Sequence, residues 1–410
     1  MHILFVTPNL PIPTSSARVR PFNLIKQLAT RHQVSVLTFI QPSEYSMLEA
    51  LEPYCQRIEL IPLGSFRHLG KWRNRVQGWL LLLLARRPRA LYTFPVKMMR
   101  EPLRNMVQTS DLDVVHFEQL YLAELRSEVR QLPAVLGEQN VEFQVIKNLQ
   151  RVSSSPIHRI RDELSWRKML AFETRSIRRF PVCLAVSEQD ARLLRKISEG
   201  AEVHVVTNGV DTRAFAPEDS ELGRRADNVL FFGTLNYGPN RDGIKWFCQD
   251  IWPMIHRIKP DVELEIVGID PPPDVMALGE LPGVKITGFV PDIRHKLWSA
   301  TLSIAPLRWG GGTRLKIIEA LAAGCPMVST SAGVEGLDLE DGKEIIVADR
   351  ADAFAQAVTN LLQHPSRRAD LSAAGQRSVA AKYDWSAIVL RLENAYARAI
   401  QLTASGSARS

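Results

Sequence analysis

Cysteine is scarce in this chain and scattered. Cys55, Cys183, Cys248 and Cys325 form no CxxC pair and stand beside no histidine at ligand spacing, which excludes a zinc ribbon or knuckle. They lie in or beside apolar runs, the setting of buried free thiols in a reducing compartment. Long hydrophobic runs are missing too. Trp79–Ala85 is too short to cross a bilayer, and His2–Thr7 reads as a core strand, not as a leader. No Asp-x-Asp element or other metal-ligand cluster stands out, no Gly-Lys-Ser/Thr closes a P-loop, and no unit recurs at solenoid periods.

Acid is nearly absent from one segment. Between Arg67 and Arg104 the only acidic residue is Glu101, against ten basic residues interleaved with Trp72, Trp79 and Leu80–Leu84. Such a segment suits the interface of an anionic membrane; it suits equally a core helix with solvated basic flanks. The net charge of +7 points to an anionic partner, and no nucleic-acid recognition motif accompanies it.

What is present is an α/β pattern, twice. The 410 residues suffice for two cores. His2–Thr7, a proline-bearing loop, a helix expected over 21–30 and Gln33–Phe39 make a βαβ opening. Unbroken apolar strands are expected at 113–117, 133–136, 182–186 and 203–206, as a buried parallel sheet requires. After Asn208-Gly-Val-Asp211 and a charged linker to about Arg225 the pattern restarts, with strands expected at 229–232, 263–267, 284–287, 302–305, 327–330 and 344–347. Amphipathic helices follow at 351–363, 366–382 and 385–401, then a small polar tail, 403–410, expected to be disordered. Two doubly wound sheets should carry ligands at the carboxyl ends of their strands.

One stretch concentrates chemistry. After the strand ending at Ala305 come Gly310-Gly-Gly312, then a helix expected from Thr313 to Ala323 with Gly324 as its stop. Glycines let a backbone approach a ligand closely. A helix N-terminus favours an anion, and Arg314 and Lys316 add full positive charge. Glu319, one turn on, is placed to accept hydrogen bonds from a ribose diol; the plainer alternative is a surface Lys316–Glu319 pair.

Pro306 to Gly336 resembles the donor-nucleotide segment of family 4 glycosyltransferases, in the glycine-rich form of the exopolysaccharide-type sugar transferases. The resemblance implies a two-domain GT-B fold. Residues 1–207 would form the acceptor-side Rossmann-like domain, 208–384 the nucleotide-sugar domain, and the last helix would pack back onto the first. It implies a retaining enzyme that moves a sugar from a nucleotide-sugar to a glycan or polyprenyl-linked acceptor in cell-surface polysaccharide synthesis. Such an enzyme would work in the cytoplasm, peripherally at the inner face of the membrane, with no cofactor and no metal. A nucleotide-sugar 2-epimerase of the same fold and a degenerate scaffold partner are the alternatives.

The donor residues implied are Gly233, Thr234, Asn240, Gly311, Gly312, Thr313, Arg314, Leu315, Lys316, Glu319 and Glu335, with Arg314 and Lys316 as the catalytic cations. In the donor domain the sequence departs from the family in two places. Where relatives carry an Arg and a Lys for the diphosphate, Thr234 and Asn240 stand here, with Arg241 as a nearby substitute; where relatives carry the first of two glutamates, Gly311 stands. Phosphate neutralisation therefore falls to Arg314 and Lys316. On the acceptor side the resemblance implies Glu138, Asn140 and Glu142; the family's glycine-rich loop is replaced by Pro13–Arg20, where Arg18 and Arg20 are either binders of a phosphorylated acceptor or solvated loop charges. Glu118 would stand where relatives have a sugar-contacting histidine, and His116 is either a second such contact or a structural histidine.

Overall fold

The computed structural model describes residues 1–13, 16–63, 88, 91, 94–152, 156–217, 227–310 and 314–407. It divides into two units, Met1–Thr207 with Ile388–Ser410, and Asn208–Ala387.

The first unit is built on seven parallel strands: β1 (His2–Thr7), β2 (Gln33–Ile40), β3 (Arg57–Pro62), β4 (Val114–Glu118), β5 (Ala134–Glu138), β6 (Val182–Ala185) and β7 (Val203–Val205), in the order β3-β2-β1-β4-β5-β6-β7. The second has six parallel strands: β8 (Asn228–Phe232), β9 (Glu263–Val267), β10 (Val284–Gly288), β11 (Leu302–Ala305), β12 (Met327–Ser329) and β13 (Ile346–Val347), in the order β10-β9-β8-β11-β12-β13. Each order reverses once, between β1 and β4 and between β8 and β11. At these two places neighbouring strands send their loops to opposite faces and open room at the carboxyl edge.

The unbroken apolar runs have their reason in the packing. In β8, Phe231 faces one buried cluster with Ile266, Ile304 and Val328, and Leu230 and Phe232 face another with Val267, Ala305 and Met327. A sheet covered on both faces has no polar side to alternate with. β3 went unnoticed because Arg57 and Glu59 interrupt its apolar pattern, as a half-exposed edge strand permits. The first helix runs Ser16–Leu28 and so holds Pro21 in its second turn instead of starting at it. Asp211, Ser187 and Thr330 each cap a helix by accepting a backbone N–H at the third residue on. The last helix, Trp385–Ser407, starts in the second unit and belongs to the first from Ile388. It extends beyond the Gln401 end expected from the sequence, and Thr403 and Ser405 satisfy their hydroxyls on the carbonyls of Ala399 and Gln401. The polar end is thus helical as far as Ser407, not a tail from Thr403.

Among the described residues no helix is long and apolar enough to cross a membrane. All four cysteines are free, with Cys183, Cys248 and Cys325 buried. Most of the basic segment lies outside the described residues. At its described end, Arg100 and Arg104 both reach Glu128, at 3.5 and 2.6 Å.

Candidate functional site

In the second unit the carboxyl ends of β8 and β11 carry the expected cations. The β8 loop turns at Gly233 and enters the helix Gly238–Trp246; the β11 loop runs from Pro306 and enters the helix Leu315–Ala322. The two loops are tied together. Arg308 Nη2 bonds Asp242 Oδ1 at 2.5 Å, and Trp309 Nε1 donates to the same carboxylate at 3.2 Å. From the β12 side, Ser329 Oγ donates to the Ala305 carbonyl at 3.1 Å and Thr330 Oγ1 to that of Leu307. The loop that presents the cations is therefore braced before any ligand arrives.

Lys316 and Glu319 do not pair as a surface i,i+3 couple; among the described residues no ion pair joins them. Lys316 Nζ instead donates to Asn240 Oδ1 at 2.8 Å and lies 4.5 Å from the centroid of the Phe231 ring. Asn240 Nδ2 in turn donates to the Thr234 carbonyl at 2.9 Å. Gly233 (φ 144°) makes room, since a Cβ there would stand 2.9 Å from Asn240 Nδ2 and 3.1 Å from Lys316 Nζ. Burial, with Arg314 adding repulsion and Glu319 opposing, lowers the Lys316 ammonium to about 7. Burial raises the Glu319 carboxyl to about 7, against the pull of Lys316. Two half-buried groups thus change charge near neutrality.

Arg314 is not in the first helical turn but is the residue before it, with φ −81° and ψ 75°. Only 7% of it is exposed. Its guanidinium lies over Gly310 (φ 144°), where a Cβ would come within 2.8 Å of Nη2. It donates toward the Ala332 carbonyl at 3.4 Å, and burial lowers its pKa against the pull of Glu335. Leu315 starts the helix as a half-buried core residue, and Glu335 is exposed. Gly311, Gly312 and Thr313 lie outside the described residues. Arg241, the nearby substitute, is half-exposed and pairs with Asp274 at 2.8 Å, as does Lys245.

In the first unit the corresponding switch point is filled by a buried ionic network. Arg20 Nε donates to Glu118 Oε1 at 3.2 Å and Arg20 Nη1 to the Thr207 carbonyl at 2.8 Å. Gln139 Nε2 donates to Glu118 Oε1 at 2.8 Å, and His116 Nε2 meets Glu118 Oε2 at 2.7 Å. The other ring nitrogen of His116 meets Tyr396 Oη on the last helix at 2.7 Å, and Phe5 stacks on the imidazole. Burial alone would raise the Glu118 carboxyl, but Arg20, His116 and Gln139 overcome it and hold the group at about 2.

These contacts revise the acceptor-side expectations. Arg20 is 3% exposed and bound to Glu118, not presented on a loop to a phosphate. Glu118 and His116 are 1% and 0% exposed, and their polar atoms are engaged within the fold, with Arg20, Gln139 and Tyr396 as the partners beyond each other. Arg18 pairs with Glu44 at 2.6 Å, and Asn140 is exposed. Contrary to the reading that no Asp-x-Asp element stands out, the chain has one, Asp111-Leu-Asp113, at the amino end of β4, where Asp113 accepts from the His2 amide at 2.7 Å. That is the far edge of the sheet from Glu118. Among the described residues no group of three metal-ligating side chains comes together.

Glu138, at the end of β5, is 3% exposed, and neither carboxyl oxygen has a hydrogen-bond partner among the described residues. Its electrostatic neighbours are Glu173, Glu142, Asp190 and Glu118. Glu173 accepts the amides of Glu142 and Phe143 at 2.9 and 3.0 Å, and Glu142 accepts from Tyr121 Oη at 3.0 Å. Burial and these acids push Glu138 well above the usual carboxylate range. An ordinary carboxyl in the unfolded chain releases its proton near 4.5, whereas the folded chain keeps it, so stability falls as pH rises above that value. Glu138→Gln is therefore expected to raise the melting temperature at pH 7 more than at pH 5, by roughly 1–3 kcal/mol of added stability. Equal shifts at both pH values would show that Glu138 is ionised in the fold.

Sequence comparison fits this geometry. Residues 18–214 match the family model described as Glycosyltransferase Family 4, and residues 226–364 match that of Glycosyl transferases group 1. The chain belongs to the family 4 and group 1 glycosyltransferases. Among curated relatives, it is 29% identical over 221 residues to a phosphatidyl-myo-inositol mannosyltransferase of Mycobacterium leprae, covering 52% of this chain and 58% of that one. It is 26% identical over 260 residues to an MMP alpha-(1->4)-mannosyltransferase of Mycolicibacterium hassiacum, covering 58% and 59%. The matched stretch thus spans less than two thirds of each relative. Among solved structures, sucrose-phosphate synthase from Thermosynechococcus elongatus superposes with a TM-score of 0.71 at 18% identity, over 99% of this chain and 100% of that one. Anabaena HepE in complex with UDP and glucose superposes with a TM-score of 0.64 at 17% identity, over 97% and 99%. The fold is GT-B, with two parallel sheets.

Sequence reasoning found the cations but not what holds them. Asn240 and Lys316 are 76 positions apart and Arg20 and Glu118 are 98 apart, so no local pattern announces either contact. For Glu118 one signal did exist: an acid closing an apolar strand needs a buried cation, and Arg20 was available.

Proposed function

We propose that the chain is a retaining glycosyltransferase that takes a sugar from a nucleoside-diphosphate sugar and passes it to a glycan or lipid-linked acceptor. The observation that carries the reading is the Arg314–Lys316–Asn240 arrangement at the β8/β11 switch point: two desolvated cations at the start of the helix Leu315–Ala322, with no carboxylate paired to Lys316 among the described residues. An anion supplied by a ligand would complete the charge balance. Charge grows on the diphosphate as the glycosidic bond breaks, so these cations act most strongly in the transition state. The leaving phosphate oxygen can take the acceptor proton on the same face, so the mechanism does not call on Glu118, whose carboxylate is committed to Arg20. HepE was solved with UDP and with UDP-glucose, which makes uridine donors the first to test.

Thermal-shift screening against UDP-, GDP- and ADP-sugars tests the reading, since a ligand of the folded state raises its melting point. A shift with one nucleotide class and sugar transfer to an added acceptor are expected. Conversion of the donor sugar without acceptor would identify an epimerase, and no shift with any donor would identify a scaffold.

Glu319 sits one turn past Lys316 and is proposed to accept the ribose hydroxyls. Glu319→Gln should raise the donor KM by an amount equivalent to about 1–3 kcal/mol. A 2′-deoxy donor should lose less in the variant than in the parent. Equal losses would mean that the carboxylate does not reach that hydroxyl.

A further inference from the structure

Asn240 occupies the place where relatives of this chain are expected to carry a lysine, yet its side chain is turned away from solvent. It is the third residue of the helix Gly238–Trp246 and only 6% exposed. Both ends of its amide are committed. A carbonyl can only accept and an ammonium can only donate, so the Thr234 carbonyl fixes Nδ2 on one side and Lys316 Nζ fixes Oδ1 on the other. The face of Phe231 supports the same ammonium. Both supports are neutral. They orient Lys316 without cancelling its charge, and the one bond to Asn240 leaves two of the three ammonium protons for another acceptor. A carboxylate at position 240 would orient the ammonium equally well but neutralise it. The charged groups acting on Lys316 are Arg314 and Glu319.

We propose that Asn240 is a positioning residue for transfer: its amide aims the Lys316 ammonium at the donor diphosphate from a neutral support, and it does not itself hold the donor. This role rests on the nucleoside-diphosphate reading above. On that reading the β8 side of the switch point orients a cation that the helix Leu315–Ala322 supplies.

The test compares the parent with Asn240→Ala and Asn240→Asp. Two readouts are taken: donor kcat and KM, and the pH-dependent acetylation of Lys316 by trace acetic anhydride, followed by mass spectrometry of its peptide. The second readout reports the titration of Lys316 whatever the protein's activity. In Asn240→Ala the ammonium loses its aim, and kcat should fall by about 10–100-fold with a smaller change in KM. In Asn240→Asp the Lys316 titration should move up by about one pH unit or more, as beside any new carboxylate. Binding of UDP, GDP or ADP, whichever the parent takes, should be weaker there than in Asn240→Ala. A purely structural asparagine gives the opposite order, because Asp is nearly isosteric and should be the milder change, with Lys316 titrating alike in all three proteins. That result, in a parent that does bind a nucleoside diphosphate, overturns the proposal alone. A parent that binds none of the three overturns the donor reading and this role with it, even where the Lys316 titration moves as expected.

Discussion

Lys316→Met is expected to remove most of the turnover while making the ligand-free protein more stable. The kinetic half follows from where charge develops. Loss of one preorganised cation at a leaving diphosphate should lower kcat by roughly 10²–10³-fold. The stability half follows from burial. In the unfolded chain this ammonium keeps its proton up to about 10.5, in the folded chain only to about 7. Below pH 7 the fold therefore carries the whole cost of a desolvated charge, and the cost shrinks as pH rises from 7 toward 10.5. That shift corresponds to roughly 4–5 kcal/mol at most. Leaving the Asn240 carbonyl without its donor gives back about 1–3 kcal/mol. The net gain should be about 1–3 kcal/mol at pH 6–7, read as a higher melting temperature, and should fade by pH 9. Arg314→Ala should lower kcat similarly, and the double variant should cost less than the two single losses combined if both cations serve one diphosphate. A variant with normal turnover and lower stability would make Lys316 a structural residue.

The largest stability effect should come from the first unit. Arg20→Ala leaves Glu118 buried with its principal counterion gone, and removal of one partner of a buried pair costs about 3–5 kcal/mol. The Arg20 side chain also ties the first helix to the Thr207 carbonyl at the end of that unit, so chemical denaturation should show the loss directly. Glu118 ionises at about 2 in the fold and at about 4.5 when unfolded. Its contribution is present above pH 4.5 and is lost as pH falls toward 2. Arg20→Ala should accordingly flatten the acid limb of the stability profile. A loss below about 1 kcal/mol, within the range of an exposed pair, would mean that water reaches Glu118.

How far these contacts were legible depended on their range. Leu302–Ala305 is readable to the residue, because a strand buried on both faces is an almost wholly apolar run; Glu263–Val267 is readable from Leu264, Ile266 and Val267, and its Glu265 is buried with Thr287 and Lys296 as partners. β3 escaped, since a strand with Arg57 and Glu59 on its exposed side carries no such run. Lys316 and Glu319 were legible as a polar pair on the outer arc of an otherwise apolar helix, but their i,i+3 spacing suggested an ion pair. The actual partner of Lys316 is decided by Gly233, Asn240 and Phe231, which belong to another loop and strand. Arg20 was misplaced for a related reason. A basic residue after a proline-rich loop looks solvent-facing until Glu118 appears at the end of β4, beside β1.

The central claim is that the β8/β11 switch point receives a diphosphate through Arg314 and Lys316. The measurement that tests it most directly is calorimetric titration of the parent, Arg314→Ala and Lys316→Met with UDP, GDP and ADP at pH 6.5, where Lys316 is charged. The account predicts that the parent binds one of them and that each variant binds it at least about tenfold more weakly, as loss of one charge-assisted hydrogen bond requires. Unchanged affinity in both variants would contradict it.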